Sequence, residues 1–191
     1  MFEAPFGAFA DGVHAAVEDD EQEMTYQAHL ELDSILRFDF GTDGTPVENG
    51  FIGVGDDLFD LDQRGYGWLN TGATSFTEHD VGDRVARDGL QLSDGTFVTF
   101  LPDGDYEVSV IMGSQDDTLD QVELSLEGQL VDVVNTSFGG YHQASYPVTV
   151  SGELLELELV DLGGATPAAT LNALTITPVG LDPFGQIQGV K

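Results

Sequence analysis

A chain of 191 residues has room for one domain with a sizeable core, and a hydrophobic content of 41% excludes wholesale disorder. Its 35 acidic residues stand against 5 basic ones, a formal charge of −30 that repels nucleic acid and anionic lipid and excludes nucleic-acid binding. Cysteine is absent, so there is no disulfide framework, and no apolar run approaches membrane-spanning length, so membrane insertion is not expected.

Residues 1–34 carry Gly7, Gly12 and the run Glu18-Asp19-Asp20-Glu21, the pattern of a solvated acidic tail or linker. Within them Met24, Tyr26, Ala28, Leu30 and Leu32 alternate with polar residues, which fits one added strand ahead of a turn at Asp33-Ser34. Met1-Phe2-Glu3 has neither a basic n-region nor an apolar h-region, so this chain shows no signal peptide.

The stretch from Leu36 to Leu69 organises the rest of the chain. Leu36, Phe38 and Phe40 point one way and Arg37 and Asp39 the other, the period of a half-buried strand. Gly41, Gly44, Pro46 and Gly50 then break the chain into turns. After the apolar return Phe51-Ile52-Gly53-Val54, an acidic loop with Asp56, Asp57, Asp60 and Asp62 leads into Gly65-Tyr66-Gly67-Trp68, two large aromatics framed by glycine. Residues 70–94 are polar and turn-rich, and a connection of that length is expected to border a functional face.

Strands then come in rapid succession. Thr96 to Leu101 and Tyr106 to Met112 flank Pro102-Asp103-Gly104-Asp105 and are predicted to form a hairpin. Val122 to Leu126 and Leu130 to Val134 make a second around Glu127-Gly128. Ser145 to Val150 and Leu154 to Leu162 make a third around Ser151-Gly152. Ala169 to Thr177 closes the series and is predicted to share a sheet with Leu36 to Phe40. Short strands at this spacing, without amphipathic helices between them, predict an all-β domain over residues 35–180, an antiparallel β-sandwich of jelly-roll type, with a C-terminal tail at 181–191.

The succession Phe38-Asp39-Phe40-Gly41, Pro46-Val47, Gly65-Tyr66-Gly67-Trp68, Leu101-Pro102-Asp103-Gly104-Asp105-Tyr106-Glu107-Val108 and Leu171-Asn172-Ala173-Leu174-Thr175-Ile176 resembles the galactose-binding-like accessory domains. These include malectin-like domains, the domain that precedes the catalytic part of rhamnogalacturonan acetylesterase-type enzymes, and modules of large secreted bacterial surface proteins. The resemblance implies a jelly-roll sandwich that binds a polysaccharide or glycan or serves as a surface module. It also implies a structural calcium ion in many members, an extracellular or cell-surface setting, and a place within a larger multidomain polypeptide. Fold transfers well along such a resemblance and function poorly.

Chemistry selects the candidate site residues. Aromatic faces suit the C–H patches of a pyranose, which singles out Tyr66, Trp68 and Tyr141, the last within Gly139-Gly140-Tyr141-His142. Trp68 has a second reading as a core residue, because positions 66 and 68 share one face of a strand. Asp117 and Asn172 are the candidate polar partners. Asp56, Asp57, Asp60 and Asp62 offer hard oxygen ligands for calcium, although the loop lacks the glycine and distal glutamate of an EF-hand. Asp116, Asp117 and Asp120 form a second acidic cluster with the same two readings, ion site or solvated loop.

Four histidines and many serines are present, yet there is no Gly-x-Ser-x-Gly elbow, no His-Glu-x-x-His helix and no phosphate-cradling glycine loop. The expectation is therefore a non-catalytic carbohydrate-binding module for a neutral or basic sugar. The alternative is a structural or adhesive surface module that mediates protein–protein contacts or spaces other domains.

Overall fold

The computed structural model describes residues 35–41, 45–60, 64–70, 74–77, 84–164 and 168–180. The tails expected at 1–34 and 181–191, the strand expected at Met24 to Leu32, and Asp62 lie outside the described residues.

The described chain forms strands and no helix, and none of its elements is a helix long and apolar enough to cross a membrane. In order the strands are β1 (Leu36–Phe40), β2 (Ile52–Val54), β3 (Tyr66–Asn70), β4 (Thr74–Thr77), β5 (Asp88–Leu92), β6 (Asp94–Phe100), β7 (Gly104–Gly113), β8 (Val122–Leu126), β9 (Gln129–Val134), β10 (Tyr141–Val150), β11 (Leu154–Asp161), β12 (Ala169–Leu171) and β13 (Ala173–Pro178). Two five-stranded sheets, β10-β7-β13-β1-β2 and β3-β6-β11-β8-β9, face each other, and a smaller sheet, β12-β5-β4, lies beside them. Among these strands all pairings are antiparallel except β1 with β2, and an isolated parallel bridge joins Leu58 to Trp68.

Alternation decides what the sandwich buries. Val108, Val110 and Met112 of β7 and Leu155, Leu157 and Leu159 of β11 point inward, while the residues between them remain wholly or partly accessible. At the centre the ring of Phe97 meets those of Phe38, Phe40 and Trp68 edge-on, with centroids 5.2, 5.2 and 5.5 Å away. Such tilted packing satisfies the ring quadrupoles and contributes about 0.5–1.5 kcal/mol per pair beyond area burial.

The first and last strands share a sheet as predicted, with Leu36 opposite Ile176 and Asp39 opposite Ala173. The 122–134 hairpin is also present, turning through Glu127 and Gly128 at φ 50° and 69°, the pair of left-handed residues that a tight two-residue hairpin requires.

The other two predicted hairpins are absent. β6 pairs with β3 and β11, whereas β7 pairs with β10 and β13 in the opposite sheet. β10 and β11 likewise belong to different sheets. Residues 101–103 and 151–153 are thus corners that carry the chain across the core, and they lock together. Asp103 Oδ1 accepts the N–H groups of Gly152 and Glu153 at 2.7 and 2.9 Å, and Leu101 N–H donates to Glu153 O at 3.1 Å.

Two further expectations are corrected. The 70–94 connection contains β4 and β5, because Leu90 and Leu92 alternate and bury against the core. The closing strand breaks at Asn172, whose backbone N–H donates to Ile111 O and whose carbonyl accepts the N–H of Phe40, both at 2.9 Å.

Candidate functional site

β7 ends at Gly113 and β10 begins at Tyr141, which stand opposite each other in the first sheet. β8 begins at Val122 and β9 ends at Val134, opposite each other in the second. The loops 114–121 and 135–140 therefore both lie at one end of the sandwich and bridge its two sheets.

These loops are tied to each other. Thr136 N–H donates to Leu119 O at 2.8 Å, Leu119 N–H returns to Thr136 Oγ1 at 2.9 Å, and Gln121 N–H reaches Asn135 Oδ1 at 3.0 Å. Gly139 N–H donates to Asp117 O at 3.2 Å, which brings the Asp117 and Tyr141 segments together. Leu119 is buried beneath them as an anchor. Gly113, with φ 152°, lets the chains approach this closely, because a Cβ there would stand 2.5 Å from Gly140 O and 2.9 Å from Tyr141 Cδ1.

The surface so built carries Phe138 at its tip, 70% exposed, and the half-buried Tyr141 three residues on. Asp116 and Asp117 lie on the neighbouring loop, and Asp120 packs against Gly164, where a Cβ would meet its carboxylate. Neither loop contains a lysine or arginine. Apolar rings beside carboxylate acceptors suit the C–H face and hydroxyl donors of a sugar, and repel an anion. Below the loops, the Tyr146 hydroxyl donates to Asp132 Oδ2 at 2.6 Å and lies 2.9 Å from His142 Nε2, joining the edge strands β9 and β10. Burial, then the bond to Asp132, holds the Tyr146 phenol protonated well above its usual range.

Of the five residues expected to bind sugar, Asp117 and Tyr141 lie on these adjoining segments, together with Asp116 and Asp120 of the second acidic cluster. Trp68 is 0% exposed, with its indole N–H given to Gly55 O at 3.1 Å. It is a core ring and cannot serve as a sugar platform. Asn172 is 0% exposed as well, and its Nδ2 is held by Asp88 O and Ala86 O at 2.9 and 3.3 Å, so it fixes backbone rather than ligand. Tyr66 stands opposite Thr99 at the far end of β6, the end of the sandwich away from Tyr141. Its ring leans on Phe38 at 5.3 Å and burial raises its phenol pKa. Phe138 was missed, although Ser137-Phe138-Gly139-Gly140 places a ring in a glycine turn, the same signal that selected Tyr141.

The acidic loop is folded onto β3 by its backbone, with Trp68 N–H on Asp57 O at 3.0 Å and Arg64 and Gly65 N–H on Asp60 O at 3.1 and 3.0 Å. Arg64 Nη1 donates to Asp57 Oδ2 at 2.5 Å and holds that carboxyl below its usual range. Among the described residues no three acidic, histidine or cysteine side chains gather as a metal group. Asp56, Asp57 and Asp60 do not gather in this way, and Asp62, the fourth carboxylate expected there, lies outside the described residues.

Residues 36–177 match the family described as beta-agarase/YXIM esterase-like, galactose-binding domain-like. The chain belongs to this family. A crystal structure of the protein YXIM of Bacillus subtilis is similar at 28% identity and a TM-score of 0.63, covering 76% of this chain and 40% of that one. A β-glucuronidase of Bacteroides uniformis aligns at 14% identity and a TM-score of 0.56, over 76% of this chain and 18% of the enzyme. The plant receptor-like kinase FER aligns at 12% identity and a TM-score of 0.54, over 76% of this chain and 42% of the receptor. The latter two establish the galactose-binding-like sandwich alone. The chain spans less than half the length of each of these proteins. No curated protein sequence matches it.

Proposed function

We propose that this domain is a non-catalytic carbohydrate-binding module that takes a neutral or basic glycan at the 114–121 and 135–141 loops, within a larger extracellular or cell-surface polypeptide. The observation that carries the reading is Phe138, an exposed ring in a glycine turn three residues from Tyr141, on a loop tied through Gly139 N–H to Asp117 O, with no arginine or lysine in either loop. The galactose-binding-like family supports a sugar as the ligand class. The non-catalytic reading rests on the absence of a matching nucleophile or zinc motif in the sequence.

A glycan array followed by titration of the hits tests it. The expected result is binding to neutral or amino-sugar glycans that Phe138→Ala and Tyr141→Ala weaken without unfolding the domain. An array with no hits instead favours a surface module for protein contact, the reading suggested by Leu130 and Val133, which stand exposed on the edge strand β9.

A further inference from the structure

The asparagines of the chain are Asn49, Asn70, Asn135 and Asn172. Asn135 alone has a hydroxyl residue two places on, in Asn135-Thr136-Ser137, the Asn-x-Ser/Thr pattern to which a sugar is transferred in secreted chains. At the same place the others have Phe51, Gly72 and Leu174. Such a tripeptide arises often by chance, so its surroundings in the fold decide whether the amide is an acceptor.

Asn135 is the first residue after β9 and is exposed, as are Ser137 and Phe138 beside it. Its Nδ2 gives one hydrogen to Val133 O at 3.1 Å, and the second meets no acceptor among the described residues. Its Oδ1 accepts the N–H of Gln121 at 3.0 Å. A glycosylated asparagine keeps its carbonyl oxygen and one N–H, which are the two groups the loop uses, so the folded loop has room in its bonding for an attached sugar. Asn172 shows the contrast, being 0% exposed with Nδ2 held by both Asp88 O and Ala86 O. In the folded domain the tripeptide is also tied down, because Thr136 N–H donates to Leu119 O at 2.8 Å and Thr136 Oγ1 accepts Leu119 N–H at 2.9 Å. A transferase has to close around the tripeptide, so attachment precedes the closing of these bonds.

We propose that Asn135 is an N-glycosylation site, modified as the chain crosses the membrane and before the domain closes. The new bond joins Nδ2 to the anomeric carbon of a sugar activated as a lipid-linked phosphate ester. The bond from that carbon to the phosphate oxygen breaks, the lipid phosphate leaves with the electron pair, and one Nδ2 proton passes to base. The site rests on the extracellular setting proposed above and not on glycan binding: a domain that binds no free glycan still carries the sugar.

Translation of the full chain behind a cleavable signal peptide, with microsomes that carry the transferase, tests the acceptor without requiring any variant to fold. The expected result is a protease-protected chain heavier by one glycan, which returns to its bare size with a glycosidase that hydrolyses the sugar–amide link and leaves an aspartate there, read by peptide mass. Asn135→Gln and Ser137→Ala should abolish the shift, and Ser137→Thr should keep it. A protected chain without the shift, or a shift that survives Asn135→Gln, overturns the proposal. Peptide mass of the protein isolated from its own cells should likewise show a sugar on Asn135. Bare Asn135 on the exported protein overturns the modification alone, whereas recovery of the protein only from inside the cells overturns the extracellular setting and the modification with it.

Discussion

The indole N–H of Trp68 donates to the carbonyl oxygen of Gly55 across 3.1 Å, linking the centre of the core to the loop after β2. Trp68→Phe removes the donor and leaves that carbonyl without it, at a cost of about 1–3 kcal/mol. Trp68→Ala adds a cavity beside Phe40 and Phe97 and should cost about 3–5 kcal/mol. Urea unfolding measures both, and glycan affinity at the distant loops should stay unchanged. Lost affinity with little lost stability would return Trp68 to the sugar site.

The Asp103 carboxylate bonds two N–H groups of the 151–153 corner, at 2.7 and 2.9 Å. Asp103→Ala frees both and should lower stability by about 1–2 kcal/mol, discounted for exposure, whereas Asp103→Asn keeps an acceptor and should cost less. Equal losses for the two variants in urea unfolding would show that the corner is held by something else.

These corners also mark where sequence reasoning stopped. Alternation in Thr96 to Leu101 and Tyr106 to Met112 shows which residues are inward, and that pattern is the same whether two strands are hydrogen-bonded neighbours or face each other across the core. Pro102-Asp103-Gly104 therefore read as a hairpin turn and is a crossing between sheets. The Glu127-Gly128 turn was legible because two left-handed residues leave the chain little choice. The pairing of β1 with β13 was legible because both alternate and bracket the domain. For the site, an aromatic residue near glycine selected Trp68 and Tyr141 alike, and burial, which separates them, cannot be read from neighbours in sequence. Gly67 frames Trp68 because Phe59 crosses its Cα, with a Cβ 2.7 Å from Phe59 Cα, and not because the ring must reach solvent.

With 35 acidic and 5 basic residues, carboxylate repulsion dominates the surface, and Arg64, Arg84 and Arg87 are each engaged locally. Sodium chloride shortens the Debye length from about 30 Å at 0.01 M to about 3 Å at 1 M, so the melting temperature should climb over that range. A flat or falling curve, taken in chelator so that no calcium contributes, refutes the role given to repulsion.

The Arg64–Asp57 pair at 2.5 Å works the other way. Because Asp57 is held below its ordinary 3.8, its contribution is present above that value and disappears as pH falls through the lowered one. Both side chains are well exposed, so Arg64→Ala should cost less than about 1 kcal/mol at pH 7, and the cost should shrink as pH falls below 3.8. A deficit in stability that persists unchanged at pH 2 would mean that Arg64 acts by packing and not by charge.

The glycan site makes the most discriminating prediction, because Tyr66 and Tyr141 satisfy the same sequence criterion and sit at opposite ends of the sandwich. Phe138→Ala and Tyr141→Ala should each remove a ring contact of about 1–2 kcal/mol, a factor of roughly 5–30 in Kd for whichever glycan the array identifies. Tyr66→Ala should leave that Kd unchanged and instead lower stability, since its ring supports Phe38 at the opposite end. Asp117→Asn should weaken binding of an amino sugar more than of a neutral one, because it removes charge while keeping an acceptor. Titrations of the four variants against one glycan, each checked by circular dichroism for the native β spectrum, separate the two ends. If Tyr66→Ala alone loses affinity, the sugar lies beside β3 and the loop site is wrong; if Phe138→Ala and Tyr141→Ala alone lose it, the ligand sits on the loops that bridge the two sheets.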